Sequence, residues 1–284
     1  MKKKIFLCSI SNINSGTCKE DCKFCSQSVK YRADIERYVK KPIADIVQEA
    51  RNLEAIGALG FCLVTAHKGL DDKTLEFVCE ISHTLKKEVP RLRLIACNGT
   101  ASLEQLKELK KAGISAYNHN LETSESFYTE VCTTHPWSER YETCENVNAS
   151  GLNLIAGGIF GMGETHEDRV SMLESIKSLH PVSVPLNFYH HNASLPLKSS
   201  TLSVDEALDI IRLAKSILSD TDRLMLAGGR EITFKERQDE IFDAGINSIV
   251  IGNYLTTLGR DSHKDLEMLE KLEFTIATDT KVKK

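Results

Sequence analysis

Residues Leu92–Asn120, LRLIACNGTASLEQLKELKKAGISAYNHN, hold two short apolar runs, Leu92–Cys97 and Ser115–Asn120, separated by a stretch of helical period that stops at Gly113. A glycine there lets the chain leave a helix through a left-handed cap without a Cβ clash and return at once as a strand. The unit is strand, helix, glycine, strand, and it recurs. Further strand-like runs at Ile5–Ser9, Gly60–Ala66, Asn153–Phe160, Ser183–Tyr189, Arg223–Ala227 and Ser248–Gly252 bring the number to eight. Helical patterns stand between them, such as Ile43, Ile46, Val47, Ala50, Leu53 and Ile56, or Leu208, Ile211, Leu213 and Ile217, and other helices close at Gly57, Gly151 and Gly245. Eight alternating units predict an α/β fold of parallel strands closed as a (β/α)8 TIM-type barrel, with chemistry at the C-terminal ends of the strands. An open doubly wound sheet would use the same alternation.

With 284 residues and 41% apolar content, the chain can bury one substantial core, so residues 1–284 are read as a single barrel domain with a short C-terminal tail. The net charge is -4, and Lys and Arg are scattered rather than striped, which argues against a nucleic-acid partner. The start, MKKKIFLCSI, is basic and then apolar, but the apolar run is too short for a signal peptide. No stretch approaches the roughly 18 consecutive apolar residues of a membrane span. A cytoplasmic protein is expected, where thiols stay reduced and clustered cysteines serve as metal ligands or catalysts.

Such a cluster exists. Residues 15–25, SGTCKEDCKFC, place Cys18, Cys22 and Cys25 within eight positions of a chain that has nine cysteines. The segment follows the first strand, at the rim where barrel active sites form. A zinc ribbon would pair its CxxC with a second one, and there is none. Three thiolates on a four-iron cluster instead leave one iron open to a small molecule. Phe24 offers a flat apolar face to an adenine ring, or simply packs the loop.

CKEDCKFC resembles the signature of the radical S-adenosylmethionine (SAM) superfamily. That resemblance implies a [4Fe–4S] cluster on Cys18, Cys22 and Cys25, with SAM chelating the remaining iron. Tyr117–Ser124, YNHNLETS, is similar to the YNHNLDTS motif of the biotin synthase family. Matching segments follow in the same order along nearly the whole chain: GFCLVTA at Gly60–Ala66, ACNGT at Ala96–Thr100, GGIFGMGET at Gly157–Thr165, SVPLNF at Ser183–Phe188, AGGRE at Ala227–Glu231 and NYLTT at Asn253–Thr257. The resemblance implies a barrel of the radical SAM kind that inserts sulfur between C6 and C9 of dethiobiotin. It also implies a reducing electron-donor protein as partner and a homodimer. The chemistry is consistent with that, because no side-chain base removes hydrogen from an unactivated C–H bond and a radical is required.

A strand through YNHNLETS puts Asn118, Asn120 and Glu122 on one face and His119 and Leu121 on the other. By resemblance, Asn120 and Glu122 contact the nucleoside ribose and Asn118 the ureido group of dethiobiotin. Arg140 pairs with the SAM carboxylate, and Asn187, Thr256 and Thr257 hold the ureido ring and the valeryl carboxylate. A polar strand end meeting solvent and an ordinary surface arginine are the competing readings of these residues.

Members of the family also carry an auxiliary cluster, [2Fe–2S], on three cysteines and an arginine inside the barrel. Cys62 and Cys97 match two of those cysteines, but the third falls at Ile155 and the arginine at Met225. Isoleucine has no donor atom, and a thioether is a poor ligand for ferric iron. Cys132 is the expected replacement ligand and Cys8 the second candidate, whereas Cys79 and Cys144 sit on helical patterns as small apolar residues. Two other readings stay open: a radical SAM barrel acting on another small substrate without sulfur insertion, and a non-catalytic iron–sulfur carrier.

Overall fold

The computed structural model describes residues 3–199, 202–252 and 261–279. Ten strands follow in order: β1 Lys4–Asn12, β2 Gly60–Val64, β3 Arg93–Cys97, β4 Ala116–Asn118, β5 Asn153–Ile155, β6 Gly158–Phe160, β7 Ser183–Phe188, β8 Arg223–Leu226, β9 Ser248–Val250 and β10 Thr275–Ile276. The helices between and after them are α1 Ile43–Ala55, α2 Asp72–Glu88, α3 Leu103–Lys111, α4 Glu125–Val131, α5 Trp137–Ser150, α6 His166–Ser178, α7 Val204–Ile217, α8 Arg230–Phe234, α9 Glu240–Ala244 and α10 Ser262–Lys271. The strands pair in parallel in the order β10-β1-β2-β3-β4-β5-β7-β8-β9, and β9 pairs back onto β1. Because β5 and β6 both pair with β7, they fill one position of the ring between them. The result is the closed eight-position barrel that the repeat predicts, not an open sheet.

Two details differ from the expected strands. The run Asn153–Phe160 is not one strand but two, broken at Ala156 and Gly157. A Cβ on Gly157 would lie 1.9 Å from the Pro185 carbonyl oxygen, so the backbones of two neighbouring strands touch there and only glycine fits. The short strand β10 adds to the start of β1, outside the ring, through Lys4 and Ile5.

Alternation along each strand sorts the side chains into two shells. Ile5, Leu7, Phe61, Leu63, Leu94, Val184 and Leu224 face outward and are buried under the helices. Burial of each such side chain stabilises the fold by roughly 1.5–3 kcal/mol. Cys8, Cys62, Ile95, Ala116, Ile155, Met225 and Val250 face inward and pack as a separate apolar plug in the lumen. The helices meet the outer shell through apolar stripes; α1 buries Ile46, Val47, Ala50 and Leu53. Their starts are fixed locally, as in α3, where Ser102 and Gln105 form a reciprocal capping box.

The C-terminal helix is tied in by charge. Arg230 at the start of α8 is fully buried and donates to both oxygens of Asp265 on α10, at 2.9 and 2.6 Å, and to Gln238 at 2.9 Å. Among the described residues, no helix is long and apolar enough to cross a membrane. The plug leaves a cavity at each end of the barrel, about 170 Å³ at the mouth and about 270 Å³ at the floor.

Candidate active site at the barrel mouth

The cysteine loop leaves β1 and folds across the mouth. Ser15 and Tyr38 exchange backbone hydrogen bonds at its neck, 2.9 and 3.1 Å, and Lys23 N donates to Val131 O at 2.8 Å. Asp21 accepts from the backbone amides of Thr133 and Thr134 at 2.9 and 3.2 Å and from the Thr134 hydroxyl at 3.0 Å. Burial alone would raise its pKa, but these donors outweigh it and hold the carboxyl well below the usual range. The Asp21 carboxylate thus staples the loop to the segment after α4.

Opposite the loop, β4 delivers the polar edge. The alternation in burial runs past the end of the strand: His119 and Leu121 are buried, while Asn118, Asn120 and Glu122 are half-buried and line the mouth cavity, which His119 also borders. Glu122 adopts φ +69, unusual for a non-glycine, and its carbonyl is held by Ile159 N at 2.8 Å. Arg140 on α5 reaches across to this edge. Its Nε donates to the Tyr128 hydroxyl at 2.8 Å, its Nη1 donates to the Asn120 carbonyl at 3.0 Å, and the same Nη1 lies 3.5 Å from Glu122 Oε1. Burial raises the Glu122 pKa, with Arg140 and the Asn120 amide opposing it. Burial likewise keeps His119 neutral, helped by the Arg140 charge. Asn118 Oδ1 and Glu122 Oε2 are buried without a hydrogen-bond partner. Such atoms are costly unless something fills the site. Cys18, Cys22, Cys25 and Phe24 line the same cavity.

Residues 13–176 match the Radical SAM superfamily, and residues 185–275 match the Biotin and Thiamin Synthesis associated domain. The biotin synthase of Sulfurimonas denitrificans is 63% identical over 281 residues, covering 99% of this chain and all of that one. The biotin synthase of Campylobacter jejuni subsp. jejuni is 53% identical over 276 residues, 97% of this chain and 99% of that one. The chain belongs to the biotin synthase family. Among solved structures, the FeFe-hydrogenase maturase HydG from Carboxydothermus hydrogenoformans superposes with a TM-score of 0.81 at 19% identity, covering 97% of this chain and 68% of that one. Methylornithine synthase superposes with a TM-score of 0.80 at 17% identity, covering 96% and 84%. These two likenesses bear on the barrel alone.

Radical SAM membership implies a [4Fe–4S] cluster and SAM. The residues at the mouth fit both, with three thiols on one loop and unpartnered buried oxygens across from them. The auxiliary group associated with biotin synthases is different. Ile155 on β5 and Met225 on β8 face the lumen with Cys62 and Cys97, and neither reproduces the thiolate and guanidinium of the family set. The residues present do not fit that set.

The expected replacement, Cys132, is not in the lumen. It caps the C-terminus of α4, which carries it back over the cysteine loop. Its sulfur lies 3.7 Å from that of Cys22 and 3.4 Å from His135 Nδ1. The hydrogen bond from Cys22 holds the Cys132 thiol below the usual thiol range, with His135 acting in the same sense against burial. Among the described residues, Cys22, Cys132 and His135 form the one trio of metal-ligating side chains whose donor atoms all lie within 4.8 Å of one another. Cys132 therefore belongs to the rim and does not stand beside Ile155 in the lumen.

Asn187 on β7 has both ends of its amide engaged: Nδ2 donates to Gly158 O at 3.1 Å and Oδ1 accepts from Gly228 N at 2.9 Å. Thr256 and Thr257 lie outside the described residues. Cys79 is half-buried on α2, and Cys144 is buried on α5 with its thiol donating to His119 O at 3.2 Å. In the glycine-rich GGIFGMGET segment, the Glu164 carboxylate accepts from Gly161 N and Met162 N at 2.8 and 2.7 Å and pairs with Arg169 at 2.9 Å. Sequence reading missed the chain of contacts behind the loop. The Tyr128 hydroxyl meets His135 Nε2 at 2.7 Å, and His135 Nδ1 meets Glu20 at 2.6 Å. No local pattern marks these residues, which meet only when α4 packs under the cysteine loop.

Proposed function

We propose that this biotin synthase family member inserts sulfur between C6 and C9 of dethiobiotin to form biotin. Cys18, Cys22 and Cys25 would hold the [4Fe–4S] cluster against which SAM binds. The observation that supports this most directly is the meeting, in one cavity, of the three-cysteine loop with the Asn118, Asn120, Glu122 and Arg140 edge. When bound, the cluster and SAM supply the reducing electron and the carbon radical that an unactivated C–H bond requires; a reducing electron-donor protein is part of this reading.

The chain's own residues bind and orient. Arg140 is held on two sides by Tyr128 and the Asn120 carbonyl, which fixes the plane of its guanidinium and leaves the remaining donors for a carboxylate. Glu122 Oε2 is placed to accept from a ribose hydroxyl. The Asn120 Oδ1 is occupied by Gly157 N at 3.1 Å, so its amide acts as a donor. Asn118 donates to the Cys97 sulfur at 3.4 Å and keeps Oδ1 for an N–H such as that of a ureido ring. Asn187 retains one N–H and one lone pair for the same ring, and Thr256 and Thr257 complete the proposed substrate contacts. Phe24 packs toward Val131, Met162, Tyr189 and Leu197 and closes the mouth with an apolar wall. Below, the plugged lumen keeps water from the reacting carbons.

The test is anaerobic reconstitution with iron and sulfide, then reduction in the presence of SAM with and without dethiobiotin. The expected result is 5'-deoxyadenosine that increases with dethiobiotin, together with biotin. Formation of 5'-deoxyadenosine that ignores dethiobiotin, with no biotin, would overturn the proposal.

A further inference from the structure

We propose that Cys8 supplies the thiolate that Ile155 lacks, so that the auxiliary iron–sulfur centre of this chain is held by Cys8 on β1, Cys62 on β2 and Cys97 on β3. The inference rests on the sulfur-insertion reading and names the ligands that reading leaves open.

The three cysteines lie on the inward faces of three consecutive strands. Register aligns Cys8 with Gly60 and Ile10 with Cys62 between β1 and β2, and Val64 with Cys97 between β2 and β3, so the sulfurs descend diagonally across one wall. Cys62 is the middle member. It packs with Cys8 in the buried cluster of the lumen, and Cys97 packs against that cluster. The trio does not converge within 4.8 Å, the span of a single-ion site. A polynuclear cluster spreads its protein ligands over several irons, and this arrangement suits it.

The close approach of β2 and the charge near Cys8 point the same way. Its neighbour on β2 is Gly60, and a Cβ there would come within 2.9 Å of the Cys8 sulfur. Cys8 also borders the floor cavity of about 270 Å³, together with Ile155, Met225 and Arg223. Arg223 stands two residues before Met225 on the same face of β8. Its Nη1 is buried without a hydrogen-bond partner, while its guanidinium stacks on Phe6 at 4.8 Å. Iron displaces the thiol proton when it binds, and Arg223 puts a positive charge on the cavity that Cys8 borders. The guanidinium absent at Met225 is thus present one step lower.

The experiment compares wild type, Cys8→Ser, the double variant Cys8→Ser/Ile155→Cys, and Cys79→Ser as a control remote from both sites. Each is reconstituted anaerobically, and iron, acid-labile sulfide and the Mössbauer spectrum are measured per chain. We expect Cys8→Ser to fall to the iron and sulfide content of the first cluster alone while still cleaving SAM, which also verifies its fold. Ile155→Cys should restore part of the lost iron by returning a thiolate to β5. A Cys8→Ser protein with the wild-type iron count and spectrum overturns the ligand assignment. So does a Cys8→Ser protein that loses both clusters and regains neither with Ile155→Cys, since Cys8 would then be a packing residue. A wild-type chain that assembles only one cluster overturns the sulfur-insertion reading itself, a result visible without any variant.

Discussion

The barrel holds two groups of three cysteines, and they are built differently. At the mouth, Cys18, Cys22 and Cys25 come from one loop, and their spacing survives any adjustment of the barrel beneath them. In the lumen, Cys8, Cys62 and Cys97 come from three strands, each contributing one inward side chain. A contiguous group can only be kept or lost as a unit. A distributed group can change one strand at a time, as Ile155 and Met225 show by standing where a thiolate and a guanidinium are expected.

The sharpest way to break this comparison is to remove one thiolate from each group. Cys22→Ala should reduce 5'-deoxyadenosine formation to background, since two thiolates hold the first cluster too weakly to present an open iron. Cys62→Ala should retain that activity and lose biotin. Equal loss of both products in the two variants would mean that the groups are not independent.

A smaller effect separates the two sides of the mouth. Arg140→Ala should raise the dissociation constant for SAM by about 10- to 100-fold, roughly 1.4–3 kcal/mol, because it removes charge-assisted donors and leaves Glu122 buried without its cation. Asn118→Ala should weaken dethiobiotin binding more than SAM binding. Isothermal titration of each ligand checks the pair, and equal losses for both ligands would contradict the assignment.

Gly60→Ala addresses the lumen through packing. Overfilling the contact with Cys8 should cost about 1–3 kcal/mol in denaturant unfolding and disturb the auxiliary spectrum, leaving SAM cleavage at the mouth unchanged. The smallest effect lies outside both groups and gives their baseline. Asp168 accepts from Ser124 at 2.6 Å, from Ser126 at 2.8 Å and from Thr165, and the Ser124 bond leads in lowering its pKa from 3.8 to about 2. Because the folded value is the depressed one, its contribution is present above the unfolded pKa and is lost as pH falls toward 2. Asp168→Asn should flatten acid unfolding in that window by no more than about 1 kcal/mol, with both clusters unaffected.

What could be read from sequence follows the same division. The strand and glycine rhythm identified every ring position, because period-two burial and helix-ending glycines are local signals. The polar edge was equally visible, since Asn118, Asn120 and Glu122 obey that period. The break at Gly157 was not, because its cause is the Pro185 carbonyl of another strand. The position of Cys132 was misread for a related reason. It follows a strand segment in the chain, but α4 turns it back onto Cys22, and no spacing encodes that turn. The commitment of both ends of the Asn187 amide to Gly158 and Gly228 likewise depends on two backbones brought together from distant parts of the chain.

The closure of the ring also has a consequence in time. β1 is the first strand, yet one of its partners is β9: the Ser248 hydroxyl donates to the Phe6 carbonyl at 3.1 Å across 242 residues. At roughly 5–20 residues per second of synthesis, about 12–50 s separate the appearance of the two strands. The mouth cysteines follow directly on β1. On the ribosome they are therefore exposed, reduced thiols with no barrel beneath them for most of the life of the nascent chain, and oxidant encountered in that interval meets them before any cluster can.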